Sequence, residues 1–184
     1  DEQRRDSINS LAITPDGSKI IGSTGAGSKI LIFDRATGKQ IGGLDLEEDG
    51  KATQVAMTPD GKFLAAGTSN KVFVVWDLAS GDRVWRSPEQ SAQITAVAIT
   101  ANGRYVAATA EGEVGIWDLQ SGEKIRSFIG HTRSVDQLHF VDGDKRLVSG
   151  SADGSTRVWR FETREEIIAW VKANRQYPQL DCDQ

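Results

Sequence analysis

The chain repeats itself with a period of about 42 residues, and no other feature limits its fold so strongly. Thr14-Pro-Asp-Gly17 returns as Thr58-Pro-Asp-Gly61, then as Thr100-Ala-Asn-Gly103 and Val141-Asp-Gly-Asp144, at spacings of 44, 42 and 41. A second landmark keeps step: Phe33-Asp34, Trp76-Asp77, Trp117-Asp118 and Trp159-Arg160, spaced 43, 41 and 42. A third is the glycine turn at Ala36–Lys39, Ala79–Asp82 and Gln120–Glu123. A repeat of this length is one supersecondary unit that must stack on its neighbours to bury its apolar faces.

Within each unit the residues read as strands. Leu11-Ala-Ile13, Val55-Ala-Met57, Val97-Ala-Ile99 and Leu138-His-Phe140 alternate with the period of two that a strand requires. The Pro-Asp-Gly that follows is turn chemistry: Pro presets φ, Asp tolerates the next corner, and Gly takes a positive φ. A second strand follows at Ile20, Leu64, Val106 and Leu147, and a third carries the aromatic residue of the second landmark. A fourth, more polar strand follows the glycine hairpin at Gln40-Ile41, Arg83–Trp85 and Lys124–Arg126. The expectation is all-β: four four-stranded antiparallel blades, the last lacking its outer strand because Arg164 replaces the hairpin glycine. The inner strands are apolar on both faces, so each sheet needs a cover on both sides, and radial stacking into a β-propeller supplies it.

These residues resemble WD-repeat β-propellers across about residues 4 to 164. The Trp-Asp ends at 76–77 and 117–118, the Pro-Asp-Gly turns and Gly130-His131 carry the resemblance. It places the family's structural tetrad at His131, Ser149, Asp153 and Trp159, and implies a hydrogen-bonded cross-link between the strands of the last blade and its entry loop. The position of Ser149 is occupied by Gly22, Ala66 and Ala108 in the other repeats, none of which bonds through its side chain. Those blades are expected to rely on packing and to be less cross-linked at that end.

No residue is assigned to catalysis, to a cofactor or to a metal. His131, Ser149 and Asp153 have the residue types of a hydrolase triad, but their spacing is that of the tetrad, and a nucleophile needs an oxyanion site and an open cleft. Gly22–Lys29 fails the phosphate-loop template and joins two strands rather than a strand and a helix. Two histidines and one cysteine offer no cluster with metal-ligand spacing. His139 stands in the column of Ala12, Ala56 and Ala98 and is expected to pack in a core or an interface. The formal charge is −4, which argues against nucleic acid or an anionic membrane as partner. Arg83, Arg86, Lys124, Arg126 and Arg133 read as solvated positions. The single cysteine, Cys182, points to a reducing, cytoplasmic setting.

After the fourth unit, Thr163-Arg-Glu-Glu166 forms a capping box, and Ile167, Ile168, Trp170 and Val171 fit one helix face. A helix is expected near 164–175, within a tail spanning 165–184. This tail is similar to those closing WD-repeat regions of bacterial multidomain signalling proteins, including STAND-type ATPases and caspase-like or CHAT proteases. The blades are placed at about 4–46, 47–87, 88–130 and 131–164. Family members usually close with seven or eight, so four are expected to join further blades of the parent chain, or a second copy. A closed four-blade ring ranks last. The expected role is non-enzymatic: a protein–protein interaction or sensor module for a protein or peptide, with Asn70, Glu111, Arg133 and the loop 47–51 as partner surface. The alternatives are a purely architectural half-propeller and an enzyme with a site in the central channel.

Overall fold

The computed structural model describes residues 7–25, 27–162, 168, 169 and 171–173. Among the described residues, fifteen strands form four antiparallel sheets, each a meander in sequence order. Sheet 1 contains β1 (Ile8–Ile13), β2 (Lys19–Thr24), β3 (Lys29–Asp34) and β4 (Gln40–Asp45). Sheet 2 contains β5 (Ala52–Met57), β6 (Phe63–Thr68), β7 (Phe73–Asp77) and β8 (Arg83–Arg86). Sheet 3 contains β9 (Val97–Ile99), β10 (Tyr105–Ala110), β11 (Glu113–Asp118) and β12 (Lys124–Phe128). Sheet 4 has three strands, β13 (Val135–Val141), β14 (Arg146–Ser151) and β15 (Thr156–Arg160). The expected helix near 164–175 falls largely outside the described residues; Ile168, Ala169 and Val171–Ala173 within it are helical.

The first hairpin of sheets 1 to 3 is tight because its side chains satisfy its own backbone. Thr14 Oγ1 donates to Asp16 Oδ1 at 2.6 Å, the same carboxylate oxygen accepts from Ser18 N at 3.0 Å, and Gly17 takes φ +69°. Thr58, Asp60 and Lys62 repeat the arrangement, as do Thr100, Asn102 and Arg104. The Asp of each Trp-Asp pair caps the third hairpin: Asp77 Oδ1 accepts from Ala79 N at 2.8 Å, and Asp118 Oδ1 from Gln120 N at 2.8 Å. Asp34 does the same for Thr37 N at 2.7 Å. These carboxylates are turn-formers, which is why the repeat keeps them.

Three cores lie between the four sheets. On β7, Val74 and Trp76 face the core shared with sheet 1, where they meet Ile21, Ile30 and Leu44. Phe73 and Val75, the alternate residues of the same strand, face Val97, Val106 and Trp117 of sheet 3. The third core holds Ala107, Val114 and Ile116 against Leu138, Leu147 and Phe161. Covering both faces demands apolar residues at every inner position, and β6 and β7 read that way. The aromatic ending the third strand of sheets 2 to 4 therefore points at the preceding sheet.

The first strands lie side by side along a central groove of about 640 Å³. Polar side chains stitch them: Asn9 Nδ2 donates to Ala52 O at 3.3 Å, Thr53 Oγ1 to Ile94 O, and Thr95 Oγ1 to Val135 O at 2.6 Å. Each comes from an equivalent repeat position and reaches the start of the next sheet: Ala52 on β5, Ile94 in the connection just before β9, and Val135 on β13. Consequently one end of every sheet carries the second hairpin and the sheet-to-sheet connection, here termed the loop end. The other, the turn end, carries the first and third hairpins.

Candidate functional site

The loop end is where the sequence places both the tetrad and the partner surface. His131 comes from the connection into sheet 4, Ser149 from β14, Asp153 from the β14–β15 hairpin and Trp159 from β15. The structure brings all four together. Trp159 Nε1–H donates to Ser149 Oγ at 2.8 Å, Ser149 Oγ lies 2.7 Å from His131 Nε2, and His131 Nδ1 lies 2.9 Å from Asp153 Oδ2. An ionised carboxylate only accepts, so Nδ1 carries the proton; Nε2 then accepts from the serine hydroxyl, whose oxygen accepts from the indole. Asp153 also takes bonds from Thr132 N at 3.0 Å and from Ser155 Oγ at 2.6 Å. The Ser155 hydroxyl foremost, then His131 and Thr132 N, hold its carboxyl well below the usual carboxylate range, against the opposing effect of burial.

This chain of bonds locks sheet 4 to its entry loop and offers no reacting atom. Ser149 is fully buried and its hydroxyl is committed on both sides. The expectation that the other sheets rely on packing alone needs correction. The hydroxyl sits one or two residues further along: Thr68 Oγ1 donates to Val72 O at 2.8 Å, and Thr109 Oγ1 accepts from Ala96 N at 3.0 Å. Phe73 N donates to Ser87 Oγ at 3.0 Å. Comparison of the Ser149 column alone misses these substitutes, because they lie one or two positions further along the second strand or beyond the fourth.

Asn70 and the loop 47–51 meet. A short 3-10 turn, Glu47–Asp49, opens the connection between sheets 1 and 2. Asn70 Nδ2 donates to Glu48 O at 2.7 Å, and Lys51 N donates to Ser69 Oγ at 3.0 Å. Asp49, buried, takes Arg83 NH1 at 2.9 Å and Arg86 Nε at 2.8 Å from β8. Arg83 NH2 also reaches Asp45 O at 2.9 Å. Glu111 and Arg133 lie beside a second such junction: a Cβ at Gly112, φ +82°, would stand 2.8 Å from His131 O and 2.9 Å from Arg133 O. The two clusters are not joined to each other by any recorded side-chain bond among the described residues.

Arg86 and Lys124 are exposed, as expected of solvated positions, but four of the five basic residues also hold partners. Arg83 and Arg86 pin Asp49; Lys124 pairs with Glu113 and lies over the Trp117 ring; Arg126 donates to Arg160 O at 3.1 Å and Glu162 O at 3.3 Å. Arg133 alone keeps an exposed side chain without such a partner among the described residues. Nothing in the Glu-Glu-Asp run singled out Asp49, because the arginines that bury it lie more than thirty residues away. His139 is exposed on the outer face of sheet 4 rather than in a core. It lines the central groove together with Gln54, Gln137 and Asp144. Among the described residues, no group of three or more His, Cys, Asp or Glu is arranged to hold a metal ion, and no helix is long and apolar enough to cross a membrane.

The sequence model of the family described as WD domain, G-beta repeat, matches residues 39–77, 82–118 and 122–160, well over half of the chain. This chain belongs to the WD-repeat family. Each match begins on the fourth strand of one sheet and ends on the third strand of the next, so every sequence repeat straddles two blades and ties them covalently. The chain is 35% identical over 77 residues to pre-mRNA-processing factor 19 homolog 2 of Arabidopsis thaliana, covering 42% of this chain and 15% of that protein. It is 32% identical over 96 residues to a WD repeat-containing protein of Synechocystis, covering 52% and 28%. Against RACK1 of Brassica napus it is 38% identical over 72 residues, covering 39% and 22%. The chain thus spans less than a third of the length of these curated relatives. Its fold matches the RRP9 WD40 repeats with a TM-score of 0.76 at 21% identity, covering 90% of this chain and 51% of that one. It also matches the computationally designed Ika4 protein, at TM-score 0.72 and 24% identity, covering 88% and 95%. Members of the family generally act as protein-interaction scaffolds, and none of the chemistry assembled above departs from that role.

Proposed function

We propose that this WD-repeat region recognises a protein or peptide at its loop end, through the loop 47–51 with Asn70 and, at a separate junction of the same end, Glu111 and Arg133. The observation that carries the reading is that this surface is rigid yet exposed. The backbone of 47–51 is clamped by Asn70, Ser69 and the Asp49–Arg83–Arg86 cluster, while the side chains of Glu47, Glu48 and Lys51 face solvent. A clamped loop loses little entropy on binding, which favours affinity. In this reading the blades serve a larger cytoplasmic bacterial signalling protein, of the STAND-type or CHAT kind, as its sensor region, and no enzyme chemistry resides in them.

The arc also has an open side. Leu11 and Ile13 are 60% and 56% exposed, and Leu31 and Phe33 lie on the same face of sheet 1. On sheets 2 to 4 the corresponding face is covered by the preceding sheet. Further blades are the proposed cover, and a second copy closing a ring is the alternative. Crosslinking capture with the chain and with an Arg133→Glu, Glu48→Lys double variant tests the recognition reading. Partners lost in the double variant support it, and partners kept in full would refute it. The solution mass separates the two covers, since only a ring closed by a second copy gives a dimer.

A further inference from the structure

The three junctions between sheets are built alike at the turn end, so they can be compared position by position, and one of them is different. Opposite the third strand, the outer strand presents Gly42 in sheet 1, Trp85 in sheet 2 and Arg126 in sheet 3, paired with Ile32, Val75 and Ile116. Arg126 closes its junction by bonding Arg160 O and Glu162 O of sheet 4. Gly42 offers nothing to bind. Trp85 instead floors an open groove of about 590 Å³ between the outer strand of sheet 2 and the turns of sheet 3.

We propose that this groove docks an extended peptide segment carrying an apolar side chain beside an acidic one. The floor is apolar. Trp85 stacks on Phe73 with ring centroids 5.0 Å apart, Val84 beside it is 49% exposed, and the edge of Phe63 closes the far side against Gly103. The rim is rich in donors without acceptors. Trp85 Nε1–H makes no hydrogen bond to a described residue. Lys62 lies over the Phe63 ring at 4.9 Å and makes no ion pair within 4 Å among the described residues, its charge acting on Asp60 of its own turn from further away. Asn102 uses its Oδ1 for the turn, receiving Thr100 Oγ1 and Arg104 N, which leaves its Nδ2 group facing outward. In the turns of sheets 1 and 2 that position is Asp16 and Asp60. The sheet 3 turn at the groove therefore carries an amide where the equivalent turns of sheets 1 and 2 carry a carboxylate. The groove's own carboxylate, Asp77, already accepts from Ala79 N and Ser80 N. Indole and phenyl surfaces supply contact area with little side-chain entropy to lose, and uncommitted donors beside them select carbonyl and carboxylate acceptors.

This site lies at the end opposite the loop surface and does not depend on it. The test uses the full chain and a fluorescein-labelled hexapeptide with a central Leu-Phe pair flanked by glutamates, followed by fluorescence polarisation and by the indole N–H signals in nitrogen-15 spectra. Saturable binding that shifts the Trp85 indole signal is expected. Replacing the probe's glutamates with glutamines should weaken binding about fivefold, the scale of one exposed charge pair. Trp85→Arg, which installs the residue type of sheet 3, should weaken it at least about tenfold, as for an anchoring aromatic. Lys62→Glu, on an exposed side chain, should weaken it comparably to the glutamine probe. Arg133→Glu should leave it unchanged. Absence of binding, equal affinity for both probes, or binding that survives Trp85→Arg and Lys62→Glu would each overturn the proposal.

Discussion

Ser149→Ala isolates what the tetrad contributes. The hydroxyl is fully buried and holds two partners, Trp159 Nε1–H at 2.8 Å and His131 Nε2 at 2.7 Å. Its removal deletes one small group but leaves a buried indole N–H and a buried imidazole nitrogen unpaired. Each orphan costs about 1–3 kcal/mol, and part of that is recovered where Trp159, only partly buried, relaxes toward solvent. The expected loss is about 3 kcal/mol, which for a chain of this size lowers Tm by about 6–12 °C. Calorimetry and urea denaturation read the total. Hydrogen exchange at Thr132 N–H, which donates to Asp153, reads whether the loss is local to sheet 4. The internal control is Trp159→Phe, which removes the indole donor. Added to Ser149→Ala, it should cost less than the sum of the two single changes, because the orphan no longer exists. A Tm shift under about 2 °C for Ser149→Ala, or strict additivity in the double variant, would refute the reasoning.

Asp49→Ala strands Arg83 and Arg86, but both reach solvent, so the cost should fall below that of a fully buried pair, at about 1.5–3 kcal/mol by urea midpoint. It should also speed amide exchange at Lys51, whose N–H is held by Ser69. Gly112→Ala should destabilise by at least about 2 kcal/mol, from a positive φ and a Cβ placed against two carbonyls; a circular-dichroism melt within 2 °C of the parent contradicts this. Asp153 and Asp16 are both depressed in the folded chain, Asp16 to about 2, chiefly by the hydroxyls of Ser155 and Thr14 respectively. A depressed carboxylate stabilises fully above its unfolded value near 4 and loses that contribution as pH falls toward the folded value. Urea midpoints should therefore hold from pH 7 to about 5 and decline below about 4. Ser155→Ala should flatten that decline, and stability rising on acidification would invert the sign worked here.

The period of the sequence carried nearly all of the fold. Three landmarks at one spacing located the sheets, because Pro-Asp-Gly and Trp-Asp act through bonds within five residues and need no distant partner to form. The tetrad was legible for a different reason: its four members lie within 29 positions of one repeat, and their residue types match a known pattern. Its substitutes in the other sheets were not legible, since Thr109 and Thr68 act from one and two positions further along the second strand and Ser87 from beyond the fourth. The partners of the basic outer-strand residues were not legible either, because Asp49 lies more than thirty residues from Arg83 and Arg86. Whether Arg83 meets water or Asp49 depends on how far one sheet leans over the next.

By itself, then, the sequence determined the local chemistry: strand period, turn type, and which residues repeat. Only the tertiary structure decided what lies across a junction between sheets. There the wedge between neighbouring sheets sets the distance, so that equivalent positions hold a glycine, an open tryptophan and an arginine already bonded to the next sheet. A repeat fixes what its members share, and packing decides the use of the positions where they differ.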